Sequence, residues 1–379
     1  MTSKRIVPVN TPLFIGNEKK YLNDCIDTGW VSSDGSYVKE FEENFAKYIG
    51  TDYGISVCNG SLAIDLAIAA LELKKGDEII LPTFTIISCI SSIVRLGLKP
   101  VLVDCCPITF NMKSEDVIEK ISSKTKAIMV VHIYGLPVDM NPIRKIASEK
   151  NIKIIEDSAE MHGQTYKSEK CGSMGDISTF SFYANKHITT GEGGMVLTSD
   201  EELAEKCKYY RNLCFKPESR FVHDDLGWNF RMSNIQAAVG LAQLECIDDF
   251  ILKKREIGEK YQQKLSKFSD IFQLPLKSND FAENIYWVFS IVLKKELNFS
   301  LTEITKDLSN RGVGNRPFFW PMHLQPYLKK NGFFEDETYP NSEYIAKNGF
   351  YIPSGLGIHD DDIDYVCDAI ESAVNKLSQ

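Results

Sequence analysis

Between Ser61 and Ile155 the chain switches repeatedly between two hydrophobic periods, a pattern that few architectures accept. Ser61–Leu73 is apolar-rich at helical spacing, with Asn59-Gly60-Ser61 as its turn and N-cap. Gly76-Asp77 turns the chain into Glu78–Leu81, a short buried strand that stops at Pro82. Ile86–Leu96 returns to helical spacing, Pro100–Asp104 reads as a strand, and Ser114–Ile121 reads as a capped helix. Lys126–Ile133 and Ile152–Ile155 are strands, with the helix Pro142–Lys150 between them. Such alternation specifies an α/β fold, a mainly parallel sheet sandwiched by helices. Ligands of such sheets bind beyond the carboxyl ends of the strands. Pro82-Thr83-Phe84, His132-Ile133-Tyr134-Gly135 and Glu156-Asp157 all fall at those ends.

The rest of the chain supplies flanking pieces. Asn17–Tyr48 carries two helical stretches around the loop Gly29–Gly35, which contains Trp30. A Trp in such a loop is a packing plug or a ligand-facing wall, and burial is the commoner aromatic role, which favours the plug. Ser233–Leu265 is a long helix or a pair, opened by Ser233-Asn234. Beyond it, Ile285–Leu293 is strand-like, Leu301–Asn310 helical, and Asp361–Leu377 a terminal amphipathic helix. At 379 residues the chain exceeds the usual size of one core, so a large domain with a smaller one is expected.

Bulk properties narrow the partners. A net charge of −9 without a basic stripe argues against nucleic acid. The apolar runs Ile79–Leu81 and Met129–Ile133 are strand-length, so no membrane span is expected. Met1–Asn10 lacks the apolar stretch of a signal peptide. The ten cysteines show no paired metal-ligand spacing and read as reduced thiols of a cytoplasmic protein, with no metal.

One lysine points to chemistry. Lys186 lies in Ser-Phe-Tyr-Ala-Asn-Lys-His-Ile-Thr-Thr-Gly-Glu-Gly-Gly (Ser181–Gly194), between the apolar runs Ile177–Phe182 and Met195–Thr198. A lysine at such a turn can present its amine to a partly closed site, where burial favours the nucleophilic form. Together with Asp157 at a strand end it makes the parts of a pyridoxal phosphate site: a carboxylate for the pyridine nitrogen and an amine for the aldehyde. Taken singly, a Lys-His pair near glycines is more often a solvated loop.

Ordered blocks along almost the whole chain change that balance. They include Phe41-Glu-Glu-Asn-Phe-Ala-Lys-Tyr48, Gly76-Asp-Glu-Ile-Ile-Leu-Pro82, His132-Ile-Tyr-Gly135, Glu156-Asp157, Gly191-Glu-Gly-Gly194 and Gly227-Trp-Asn-Phe-Arg231. On these blocks the chain resembles the DegT-type sugar-nucleotide aminotransferases. The resemblance implies the type I pyridoxal phosphate transferase fold, with a large cofactor domain over 1–245 and a smaller C-terminal α+β domain over 246–379. It implies that Lys186 bonds the cofactor and that Asp157 faces the pyridine nitrogen. Glu160 would sit near the cofactor's 3-hydroxyl, and Gly60, Ser61 and Ser181 would hold its phosphate. Asn229 would reach the phosphate of a partner subunit, so a homodimer would share its active sites. Trp30, Arg316 and His323 would contact the nucleotide sugar, Arg316 as a fork on the pyrophosphate.

The implied reaction takes an amino group from L-glutamate to C4 of a nucleotide-linked 4-keto-6-deoxy sugar, with GDP-4-keto-6-deoxymannose the expected acceptor. A UDP- or dTDP-linked acceptor, or a non-catalytic regulator, are the alternatives. A branch of the family carries histidine at the Lys186 position and removes an oxygen at C3; the lysine argues for amino transfer. One position departs from the family. Relatives place an aromatic ring over the cofactor where this chain has Ile86, so either Ile86 packs there or Phe84 or another ring substitutes.

Overall fold

The computed structural model describes residues 5–294 and 300–377. Seven strands form the central sheet, in the spatial order Tyr53–Val57, Gly194–Thr198, Ile177–Ser181, Lys153–Asp157, Thr125–Val131, Glu78–Pro82 and Lys99–Val103. Gly194–Thr198 is antiparallel to both of its neighbours, and every other adjacent pair is parallel. Strand Glu78–Pro82 is buried along its whole length, as a strand covered on both faces must be. The register sets Val131 beside Asp157 and Asp157 beside Thr179, so these residues end level at one edge of the sheet.

Helix Gly60–Ala70 packs against this sheet and buries most of its surface, which explains a composition apolar on nearly every side. Asn59 caps it, its side chain accepting from the Leu62 amide at 3.0 Å. The Ser233–Leu265 stretch is a pair: Asn234–Leu244, opened by a Ser233/Gln236 capping box, and Ile247–Leu265. The earlier member packs on helix Ser36–Ile49. A capping box satisfies two otherwise orphaned amides, and losing the cap costs about 1 kcal/mol.

A second, four-stranded antiparallel sheet has the order Phe272–Gln273, Phe289–Leu293, Gly349–Ile352, Arg316–Pro317. Its core joins Phe289, Ile291 and Phe350 to Ile304 and Leu308 of helix Leu301–Asn310 and to Ile370 of helix Asp360–Leu377. The two ends of the chain are interleaved here: Val7 bridges to Val313 and shares that core. Conversely, Phe318, Met322 and Ile345 pack into the core of the large sheet. Among the described residues no helix is long and apolar enough to cross a membrane.

Three local expectations change. Ile285–Leu293 is a strand only from Phe289. Upstream, the Asn284 side chain accepts the Tyr286 amide at 2.6 Å and Tyr286 adopts φ +46°, which bends the segment before it can pair. The helix expected to be capped over Ser114–Ile121 runs Ser114–Lys120, and Lys113 holds its N-cap position without a side-chain cap bond. Trp30 is not a packing plug, because 57% of its surface is exposed.

Candidate active site

The carboxyl edge of the parallel strands opens into a cavity of about 630 Å³. Four strand ends supply its wall: Thr85 and Ile86 after Glu78–Pro82, His132 and Ile133 after Thr125–Val131, Asp157 to Glu160, and Ser181 to Lys186. The N-terminus of helix Gly60–Ala70 supplies another side through Asn59, Gly60 and Ser61. Trp287 and Tyr351 arrive from the C-terminal part of the chain.

Lys186 follows strand Ile177–Ser181 in a turn whose backbone bond runs from its own amide to the Tyr183 carbonyl, 2.9 Å. Its side chain is 10% exposed. The amine stands 3.9 Å from Glu160 Oε1 and 3.9 Å from the centre of the Trp287 ring. Burial lowers the affinity of this amine for its proton, while Glu160, Asp157 and Cys89 pull the other way. Glu160 is pushed up to about 8, chiefly by burial, against the Lys186 charge and the Tyr134 amide that donates to its Oε2 at 2.7 Å. Burial thus drives both members of the pair toward neutrality.

Asp157 is buried at the strand end. Its Oδ1 accepts from the Ala159 amide at 3.1 Å and its Oδ2 from the Cys89 thiol at 3.3 Å. Burial raises its pKa above the usual aspartate range, and these two donors and Lys186 offset part of that. A cation placed against this carboxylate would restore its charge.

The helix end forms a cradle for an anion. Leu62 spends its amide on Asn59, leaving the earlier amides of the first turn for a ligand. The hydroxyls of Ser61 and Ser88 lie 2.7 Å apart, and the Ser181 hydroxyl accepts from the Tyr183 amide at 3.3 Å. Gly60 is required by closeness: a Cβ there would fall 2.6 Å from the Cβ of Ser181. An anion cradle, a buried carboxylate and a buried amine thus line one cavity, which fits pyridoxal phosphate. Gly60, Ser61 and Ser181 suit its phosphate, Asp157 its pyridine nitrogen and Lys186 its aldehyde.

Ile86 lines the cavity and is 42% exposed there. Phe84 is fully buried among Phe110, Tyr134, Phe318 and Phe319, with ring centres 5.9–6.4 Å away. An aliphatic side chain therefore borders the cavity at the position in question, and Phe84 stiffens the wall behind it.

The residues expected at the nucleotide sugar and at the shared interface are not brought together within one chain. His323 is buried outside the cavity lining, with Nδ1 2.9 Å from Thr83 Oγ1 and Nε2 3.0 Å from Glu343 Oε1. Both ring nitrogens are already engaged, so within this chain His323 has no free nitrogen to offer a nucleotide sugar. Arg316 is exposed and stands opposite Tyr351, a cavity residue, in the small sheet. Asn229 is exposed and bridges Asn212, away from the cavity lining. Trp30 also lies outside that lining.

Sequence reasoning missed Cys89, Ser88, Trp287 and Tyr351. Cys89 and Ser88 sit on the first turn of helix Ile87–Arg95, directly after the Pro82-Thr-Phe-Thr85 strand end, and that proximity was the available signal. Trp287 carried none, since its segment reads as a strand. His132, Glu156 and Cys171 bring potential metal-ligand atoms within 4.8 Å of one another. His132 Nδ1 accepts the Val138 amide, and Glu156 accepts from His132, Ser158 and the amides of Gly172, Met174 and Gly175. That network is internally satisfied as a polar brace.

Known proteins agree with this geometry. The model of the DegT/DnrJ/EryC1/StrS aminotransferase family matches residues 14–371. GDP-perosamine synthase of Escherichia coli O157:H7 is 39% identical over 366 residues, covering 97% of this chain and 98% of that protein. Among solved structures, an aminotransferase from Psychrobacter cryohalolentis superposes with a TM-score of 0.91 at 28% identity, covering 98% of this chain and all of that one. The E. coli GDP-4-keto-6-deoxy-D-mannose-3-dehydratase with bound hydrated PLP gives 0.89 at 27%, over 97% of this chain and 100% of that one. With the strand-end lysine and aspartate, the anion cradle and a match along nearly its whole length, this chain belongs to the DegT/DnrJ/EryC1/StrS aminotransferase family.

Proposed function

We propose that this protein transfers the amino group of L-glutamate to C4 of GDP-4-keto-6-deoxymannose, giving GDP-perosamine. The observation that carries the reading is the buried Lys186 amine, 3.9 Å from Glu160, in the cavity shared by Asp157 and the Gly60–Ser61 cradle. The 39% identity to GDP-perosamine synthase along almost the whole chain supports the choice of sugar nucleotide.

Bound pyridoxal phosphate supplies an aldehyde carbon to carry the amino group and a ring that accepts electron density. The chain's own groups do the rest. As a free base, the Lys186 amine can take the proton from the donor's α-carbon, and as an ammonium it can return one on the other side of the transfer. Glu160 stays close enough to share that proton, and Asp157 holds a cationic nitrogen. Glutamate leaves as a keto acid, and the same lysine works in reverse when the sugar ketone takes the nitrogen.

The sugar-nucleotide end is completed, in this reading, by Arg316 at the cavity rim and by a second subunit that brings Asn229 and Trp30. Exposed Phe221, Val222 and Leu226, 62–92% accessible, give such a partner an apolar face to cover. All ten cysteines are free thiols, which suits work in the cytoplasm.

The test is a coupled assay of purified protein with pyridoxal phosphate and L-glutamate against GDP-, UDP- and dTDP-linked 4-keto-6-deoxy sugars. The reading expects turnover with the GDP sugar and a much smaller kcat/KM with the others. Preference for a UDP or dTDP sugar would replace the substrate while leaving the chemistry. No transfer to any of them would remove the reading.

A further inference from the structure

Besides Glu160, the Lys186 amine has a second neighbour whose position is held by an unusual anchor. Trp287 presents its ring face to Lys186, with the amine 3.9 Å from the ring centre. Its indole N–H donates to the Asn185 carbonyl at 3.0 Å, immediately before the lysine. Its own carbonyl accepts from Lys254 at 3.0 Å, and Lys254 also donates to the Ser354 carbonyl. Lys254 is 3% exposed on helix Ile247–Leu265, and among the described residues it donates to these two backbone carbonyls rather than to a carboxylate. Burying an ammonium against carbonyls is costly, and here its two bonds tie the Trp287 carbonyl to the Ser354 carbonyl.

We propose that Trp287 is a positioning residue for Lys186, a ring face on which the amine rests whenever it is not bonded to the cofactor, and that Lys254 sets the place of that ring. This rests on the assignment of Lys186 as the reactive lysine. An ammonium over an indole face is attracted by the ring quadrupole, most strongly when desolvated. The amine's other ionisable neighbours are Glu160, Asp157 and Cys89, with the buried imidazoles of His162 and His187 on the protein side. His187 in turn faces Lys254. Burial takes the Lys254 ammonium down to about 7, so its grip on the Trp287 carbonyl is itself sensitive near neutrality.

The test reads the amine directly. Full-length protein freed of cofactor is labelled with acetic anhydride across a pH series, and Lys186 modification is followed by peptide mass spectrometry. The labelling midpoint should fall in the order wild type, Trp287→Phe, Trp287→Leu. The Leu variant should lie below the Phe variant by about half a pH unit or more, because Phe keeps a ring face and Leu fills similar space without one. Lys254→Met should lower the midpoint in the wild-type background and leave it unmoved in the Trp287→Leu background, since the effect runs through the ring. Equal midpoints for Phe and Leu would overturn the role of Trp287. An undiminished Lys254→Met shift in the Leu background would overturn the role of Lys254. Failure of wild-type protein to develop a visible band with pyridoxal phosphate would instead refute the assignment of Lys186, whatever the labelling shows.

Discussion

Glu160 and Lys186 face each other at 3.9 Å in a site where burial moves each toward its neutral form. The carboxyl is pushed up to about 8 from an ordinary 4.5, so between these values the folded protein keeps a proton that the unfolded chain has released. Folding stability from this group is therefore full below about pH 4.5 and falls as pH rises through about 8. Glu160→Gln keeps an acceptor for the Tyr134 amide and removes the titration. Urea unfolding of cofactor-free protein should show the variant gaining on wild type by on the order of a few kcal/mol between pH 5 and pH 8. A gap independent of pH would contradict the shift.

His323 is expected to act through folding. Its ring joins Thr83 to Glu343 inside the protein, so His323→Ala leaves a buried hydroxyl short of its partner and a void beside Tyr339. The cost should be about 2–4 kcal/mol of stability. Thermal unfolding should show that loss, and KM for the nucleotide sugar in the surviving folded fraction should change little.

Arg316→Ala should show the opposite pattern. The side chain is exposed and, among the described residues, donates a hydrogen bond to the Asn315 carbonyl alone, so stability should hold. Loss of a charge-assisted contact to a pyrophosphate should raise KM for the nucleotide sugar about tenfold or more. The glutamate half-reaction, followed alone by single-turnover absorbance, should be unchanged, because glutamate carries no pyrophosphate. Equal slowing of both halves would move Arg316 out of the nucleotide pocket.

Gly60→Ala tests the cradle. The added methyl meets the Cβ and Cα of Ser181 at 2.6 and 3.1 Å, and neither atom is the free end of a long chain. The helix end or the strand end must shift, at a cost of about 1–3 kcal/mol. Equilibrium titration should show pyridoxal phosphate binding weakened at least about tenfold, a change of that same size. Unchanged affinity would mean that the phosphate sits elsewhere.

The contrast between these positions shows what the chain order discloses. Asp157, Lys186 and the Asn59-Gly60-Ser61 turn were legible because each follows from a local rule: a carboxylate closing a buried strand, a lysine between two strands, and an N-cap before an apolar helix. Glu78–Leu81 and Leu301–Asn310 were legible for the same reason, since their hydrophobic period decides them. Trp287 was not, because the bend at Asn284–Tyr286 that turns its ring to Lys186 depends on a side-chain-to-backbone bond inside a strand-like run. His323 misled because a histidine beside aromatic residues and prolines looks available until its two partners, buried Thr83 and half-exposed Glu343, 240 and 20 residues away, are placed around it. Trp30 misled in the other direction, since its exposure is set by loop geometry that composition does not encode.

The most direct test of the central claim is borohydride reduction of the protein loaded with pyridoxal phosphate, followed by peptide mapping. The account predicts a single stable pyridoxyl group on Lys186, and a Lys186→Ala protein that stays folded, takes no label and has lost turnover. Lys254, the other buried lysine near this part of the structure, is the informative control. A label on Lys254, or full activity in Lys186→Ala, would contradict the account.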